Sequence, residues 1–235
     1  MLQSQPVSGI MQYLMENHQP RAIIITGSYA DGSFDETSDF DCWLIGRDET
    51  LIRHDTSTVN GVMLQAEIYP LAQMKALPER YMNYFVEVLI PYDPEGMAEE
   101  FMAHVRRRLA KIPCMPQAHK QQRMRYLDKM LRRASKQDFP GDVRGHLMLY
   151  QSLQHWCDFT DRLYIGTRKT LRMMAQADPE SANLFRQALR SFQPEDMAAW
   201  IDRLRNLAQL DNSRVYRFLP PGLDAEAGVD TFMPS

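Results

Sequence analysis

RAIIITGSYADGSFDETSDFDCWLI, residues 21–45, consists of two apolar runs joined by a glycine-punctuated turn. The first run, Arg21–Thr26, is β-branched and stops at Gly27, which predicts a short buried strand. The second, Asp39–Ile45, predicts another. The intervening GSYADGSFDETS is too rich in turn formers for a long helix or strand, and Gly27-Ser28 reads as the opening of a short helical turn. Asp39 and Asp41 are two apart on the second strand, so both side chains leave one face while Phe40, Cys42 and Leu44 take the other. Neighbouring carboxylates repel each other and would be costly in a dry core. A divalent cation removes that cost, and hard oxygen donors suit Mg²⁺.

Working outward, residues 9–18 carry Ile10, Met11 and Leu14 at helical spacing, which predicts an opening helix. Downstream, Thr50–Val59 and Val62–Tyr69 are joined by Asn60-Gly61, a strong hairpin signal. Glu67 lies inside the second arm, VMLQAEIYP, where a carboxylate needs a partner. Backbone N–H groups at the Gly27-Ser28 turn, with no Cβ on Gly27 to block approach, suit a phosphate. Gly32 lets the chain turn back toward Asp39 and Asp41. Phosphate and metal ligands then converge, and two such cations can activate an attacking oxygen and stabilise a leaving one.

The ordered pattern strand–GSxAxG–x5–SDxD–strand–Glu resembles the nucleotidyltransferase superfamily that includes DNA polymerase beta, poly(A) polymerases and antibiotic nucleotidyltransferases. The resemblance covers about residues 21–69. It implies that Gly27, Ser28 and Ser38 serve the nucleotide, that Asp39 and Asp41 bind two Mg²⁺ ions, and that Glu67 is a further metal ligand or the general base. Two competing motifs fail. Gly27 to Gly32 has the glycine spacing of a Walker loop, but Ser33-Phe34 stands where Lys-Ser/Thr is required, and GxGxxG is absent.

The second half carries no convincing strand. Helical periodicity runs through 94–110, 117–136, 143–164, 167–177, 181–191 and 194–210, with helix starts near Asp142, Asp178 and Ser191 and breaks at Gly141 and Gly166. The fold class expected is therefore α+β: a small mixed β-sheet domain over 1–94, an all-α helical bundle over 95–211 and an irregular tail over 212–235. In layout this is similar to aminoglycoside and lincosamide nucleotidyltransferases. The stretch YIGTRKTL, 164–171, is similar to a loop-helix start where those enzymes hold the triphosphate. By that likeness Lys169 is the candidate, with Arg168 and Lys129 as rivals.

Charge is distributed to match. Residues 31–55 hold eight acidic side chains against Arg47 and Arg53, whereas 106–136 hold eleven Lys or Arg against Asp128 alone. The bland account of the second block is the solvated faces of basic helices. Aromatic stacking platforms and an RNA module are not evident, which argues against a nucleic-acid partner. Three scattered cysteines form no CxxC pair and no disulfide framework, pointing to a reducing cytoplasmic setting. No apolar run approaches the roughly 20 residues of a membrane span. The activity implied is transfer of a nucleoside monophosphate, AMP from ATP being the common case, to a hydroxyl of a small molecule such as an antibiotic, with release of pyrophosphate. The alternative is an antitoxin-type or regulatory enzyme that binds and adenylylates a protein partner.

Overall fold

A computed structural model describes residues 5–48 and 51–209. The tail expected over 212–235 lies outside them. The chain divides into two compact units, the first running through Leu109 and the second beginning at Ala110.

The first unit is a mixed sheet with helices on both faces. Helix α1 (Gln5–His18) leads into β1 (Ala22–Ile25), a single short helix α2 (Gly27–Asp31) and β2 (Phe40–Ile45). Then come β3 (Arg53–Asp55), β4 (Thr58–Val59) and β5 (Val62–Tyr69), helix α3 (Leu71–Lys75), a 3-10 stretch (Glu79–Phe85), β6 (Leu89–Tyr92) and α4 (Met97–Leu109). The strand order is β3-β5-β2-β1-β6, with β4 also on β5. Among the described strands only β2 and β5 pair in parallel. Asn60 and Gly61, with φ of 52° and 80°, make the expected tight turn between β4 and β5.

Strand alternation divides the sheet cleanly. Ile23, Ile25, Phe40, Cys42, Leu44, Leu64, Ala66 and Ile68 form one face and bury Val7, Ile10 and Leu14 of α1. The opposite face carries Trp43, which packs on Tyr69 and Phe85, and Phe85 meets Phe101 of α4 edge-on at 4.7 Å. That packing places α4 with the sheet, so the unit continues past residue 94 to Leu109. Strand β6 was not expected. Its Pro91 interrupts the apolar pattern, and proline is tolerated there because β6 is an edge strand beside β1.

The second unit is all helix where described: α5 (Gln117–Ala134), α6 (Phe139–Phe159), α7 (Thr167–Ala177), α8 (Pro179–Ser191) and α9 (Pro194–Gln209). Met124, Leu127, Met148, Trp156, Phe185 and Trp200 lie in its core. Helix α6 starts earlier than the glycine signal predicts. Asp138 caps it by accepting from Gly141 N at 2.7 Å, with Pro140 in the first turn. Gly141 and Gly145 sit inside the helix because a Cβ at either would meet Arg133 O at 2.8 Å or the Phe192 ring at 2.7 Å. They are close-packing positions, not breaks. Ser191 closes α8 instead of opening the next helix. Among the described residues no helix is long and apolar enough to cross a membrane.

Candidate active site

Thr26 N donates to Asp41 O at 3.0 Å, so the end of β1 is stitched to the start of β2. At the next residue the backbone leaves the strand with Gly27 at φ 64°. A Cβ on Gly27 would stand 2.2 Å from Asp41 Oδ2. The glycine is therefore needed twice over, for its left-handed conformation and for the approach of the turn to the carboxylate. Helix α2 ends at Gly32, φ 74°, whose N–H returns to Ser28 O. Tyr29 anchors the turn by stacking on Phe34 with centroids 4.4 Å apart and tilting onto Phe40 at 5.0 Å.

The loop before β2 is held by its own acids. Asp31 accepts from Ser33 N and Oγ at 2.9 and 2.5 Å. Asp35 accepts from Thr37 N and Oγ1 at 3.0 and 2.7 Å, and Ser38 Oγ accepts from Asp35 N at 2.9 Å. Ser38 thus shapes the turn that delivers Asp39. Asp39, just ahead of β2, and Asp41, its second residue, are both half-buried.

Glu67 reaches the same face by register. In the parallel β2–β5 pair Asp41 lies opposite Gln65 and Trp43 opposite Glu67. Glu67 is therefore one strand over and two residues along from Asp41, roughly 8 Å between Cβ positions from ordinary strand spacing and rise. The carboxylates act together on Cys42 behind them. Burial first, then the charges of Asp41, Asp55 and Glu67, push its thiol far above the usual range.

Two observations bear on a divalent cation. The Gly27 turn leaves the space beside Asp41 Oδ2 that any other residue would fill, and Glu67 Oε2 is buried with no hydrogen bond. The donor set is carboxylate oxygen, which fits a hard cation. Among the described residues, however, no three His, Cys, Asp or Glu side chains are gathered closely enough to hold one ion.

Instead Glu67 Oε2 lies 2.5 Å from His54 Nδ1, an ion-pair contact without hydrogen-bond alignment. His54 was missed at the sequence level, although the signal was present. An Asn60-Gly61 hairpin sets 59 against 62 and 58 against 63, and the same count carried on sets 54 against 67, as observed. Of the other sequence candidates, Arg168 is exposed and Lys169 half-buried in the first turn of α7, and Lys129 is exposed on α5.

Residues 7–91 match the family model of the nucleotidyltransferase domain. The sheet unit is a nucleotidyltransferase domain. The Gly27–Asp41 turn and the Glu67 strand both fall within the matched span. A nucleotidyltransferase-like protein from Exiguobacterium sibiricum 255-15, of solved structure, is similar at 14% identity and a TM-score of 0.36, covering 87% of this chain and 74% of its own. No curated protein matches the sequence.

Proposed function

We propose that this nucleotidyltransferase moves a nucleoside monophosphate, AMP from ATP, onto a hydroxyl of a small molecule of the antibiotic type. The observation that carries the reading is the approach of the Gly27 turn to Asp41, with Asp39 beside it and Glu67 on the same sheet face. Asp39 and Asp41 would hold Mg²⁺, two ions being the expectation, which supplies charge neutralisation at the triphosphate. The Ser28 hydroxyl and the N–H groups opening α2, which as the first of a helix lack intrahelical acceptors, bind phosphate oxygens. Gly27 allows those oxygens to come within reach of the aspartates.

Glu67 takes the proton. The acceptor O–H bond breaks, its proton passes to a Glu67 carboxylate oxygen, and the freed oxygen bonds to the α-phosphorus as the bond to pyrophosphate breaks. Tyr69, half-buried two residues along from Glu67 on the same face of the sheet, offers an aromatic edge to a ring-bearing acceptor. The test is pyrophosphate release from ATP and Mg²⁺ across a panel of hydroxylated acceptors, with Asp41→Asn as comparison. Acceptor-dependent release that drops about 100- to 1,000-fold in Asp41→Asn is the expected result, since a charge-stabilising contact is worth that much. Release with an added protein and with no small molecule would assign the acceptor to a polypeptide. An Asp41→Asn variant as active as the wild type would remove the reading altogether.

A further inference from the structure

Glu67 is placed by β5, but the neighbouring strand sets its direction. His54, its register partner on β3, brings Nδ1 to 2.5 Å from Oε2. The His54 ring stands edge-on to Tyr69, with centroids 6.3 Å apart and planes at 81°. Tyr69 in turn packs on Trp43 at 5.4 Å. An unbroken chain of contacts, Trp43–Tyr69–His54–Glu67, thus draws the carboxylate toward β3, while Asp41 lies on β2, the other neighbour of β5.

We infer that His54 is a positioning residue that fixes Glu67 as the proton acceptor and keeps it out of the cation's ligand set. The inference rests on the reading of Glu67 given above. Its physical basis is that a glutamate beside two divalent charges is drawn to them unless something holds it. His54 occupies Oε2 and leaves Oε1 to face the acceptor hydroxyl. Stability does not account for the contact. The His54 side chain is 58% exposed, so although Glu67 Oε2 is itself buried, the pair keeps one partner in solvent and contributes little to folding. A merely structural pair on an edge strand also has no need of an aromatic brace.

Two substitutions separate positioning from packing. His54→Phe keeps a ring against Tyr69 and removes the nitrogen, whereas His54→Asn puts an amide nitrogen close to the place of Nδ1. The expected result in His54→Phe is a kcat about 10-fold lower, the usual scale for a supporting partner. The KM for ATP and the Mn²⁺ affinity, read by electron paramagnetic resonance with a non-hydrolysable ATP analogue, stay within roughly two-fold. His54→Asn recovers part of the loss. An unchanged kcat in His54→Phe overturns the inference, and so does a Mn²⁺ affinity that falls with kcat, because Glu67 would then be a metal ligand. A measurement without turnover is the long-range ¹H–¹⁵N spectrum of the His54 ring. Glu67→Gln should move its nitrogen signals, and unmoved signals overturn the contact itself. Glu67→Gln also separates the two readings. If it is fully active, the proton-acceptor role above fails; if it is impaired while His54→Phe is not, only the inference about His54 fails.

Discussion

In the helical unit, Lys120 Nζ lies 3.4 Å from Asp161 Oδ1 and 3.3 Å from Phe159 O, with both charged side chains only 3% exposed. Nearby, Asp178 accepts from Ser181 N and Oγ, Trp156 Nε1 and Arg203 Nη2. Burial opposes the charge of Asp178, but the hydrogen bonds from Ser181, Trp156 and Arg203 hold its carboxyl below the usual range. In the sheet unit, Asp39 and Asp41 stay half-buried at a strand end beside a glycine turn, and Glu67 meets a histidine that is itself 58% exposed. The helical unit neutralises its acids with fixed internal donors. The sheet unit leaves Asp39 and Asp41 half-buried at a strand end. On the function proposed above, the compensated acids serve the architecture and the half-buried pair at the turn serves the chemistry.

The sharpest way to break this contrast is to remove one internal donor. Lys120→Met leaves Asp161 buried without its cation, and breaking a buried pair from one side costs about 3–4 kcal/mol. Urea denaturation should show that loss, with a fall in Tm of about 10 °C for a chain of this size. The double variant Lys120→Met/Asp161→Asn should regain much of it. Asn suits the position because Asp161 has φ 56°, a conformation asparagine accepts. If Lys120→Met is as stable as the wild type, Asp161 is not compensated by Lys120 and the distinction between the units loses its clearest case.

Gly27→Ala probes the opposite side. Its φ of 64° makes any Cβ cost about 1–2 kcal/mol, and the new methyl would stand on Asp41 Oδ2. Expected are a fall in Tm of several degrees and a loss of transfer on the order of 100-fold, because displacing a reacting group by an ångström has that effect. Gly61→Ala isolates the strain. Its φ is 80°, yet nothing lies within 4 Å of the added Cβ, so stability should fall with turnover intact. Equal losses of turnover in the two variants would reduce the Gly27 effect to strain alone.

How much of this was legible in the sequence depended on whether a residue's role is local. The β1–turn–β2 segment declares itself because strand alternation and glycine placement are local signals, and Asp39 and Asp41 follow from a spacing of two. The parallel partnership of β2 with β5 is a long-range event, so the distance of Glu67 from the pair was hidden. Acid count could not separate purposes either. Asp31 and Asp35 looked like part of a cation-binding patch, but the structure uses them to close turns on Ser33, Thr37 and Ser38. Gly141 looked like a helix break, and only the nearness of Arg133 reveals why it is small.

Asp55 tests the same distinction inside the sheet unit, with a smaller effect. It lies on β3 next to His54 but belongs with the architectural acids. Tyr13 Oη donates to its Oδ2 at 3.1 Å, His18 Nε2 lies 2.7 Å from the same oxygen, and Ser57 N donates to Oδ1 at 2.8 Å. Burial works to raise this carboxyl, yet the hydrogen bonds from Ser57, His18 and Tyr13 prevail and bring it from 3.8 to about 2. A carboxyl lowered on folding stabilises the folded form above its unfolded value and loses that contribution as pH falls through the folded one. The contribution is therefore complete above about pH 4 and disappears toward pH 2, amounting to about 2 kcal/mol. Asp55→Asn should be less stable than the wild type by that amount at pH 6, and the two should converge by pH 2, read by urea midpoints at each pH. Because α1 is tied to β3 through this carboxylate, a constant difference across the range would mean that packing alone holds α1 there. Asp55 would then no longer count among the acids that the fold neutralises for its own stability.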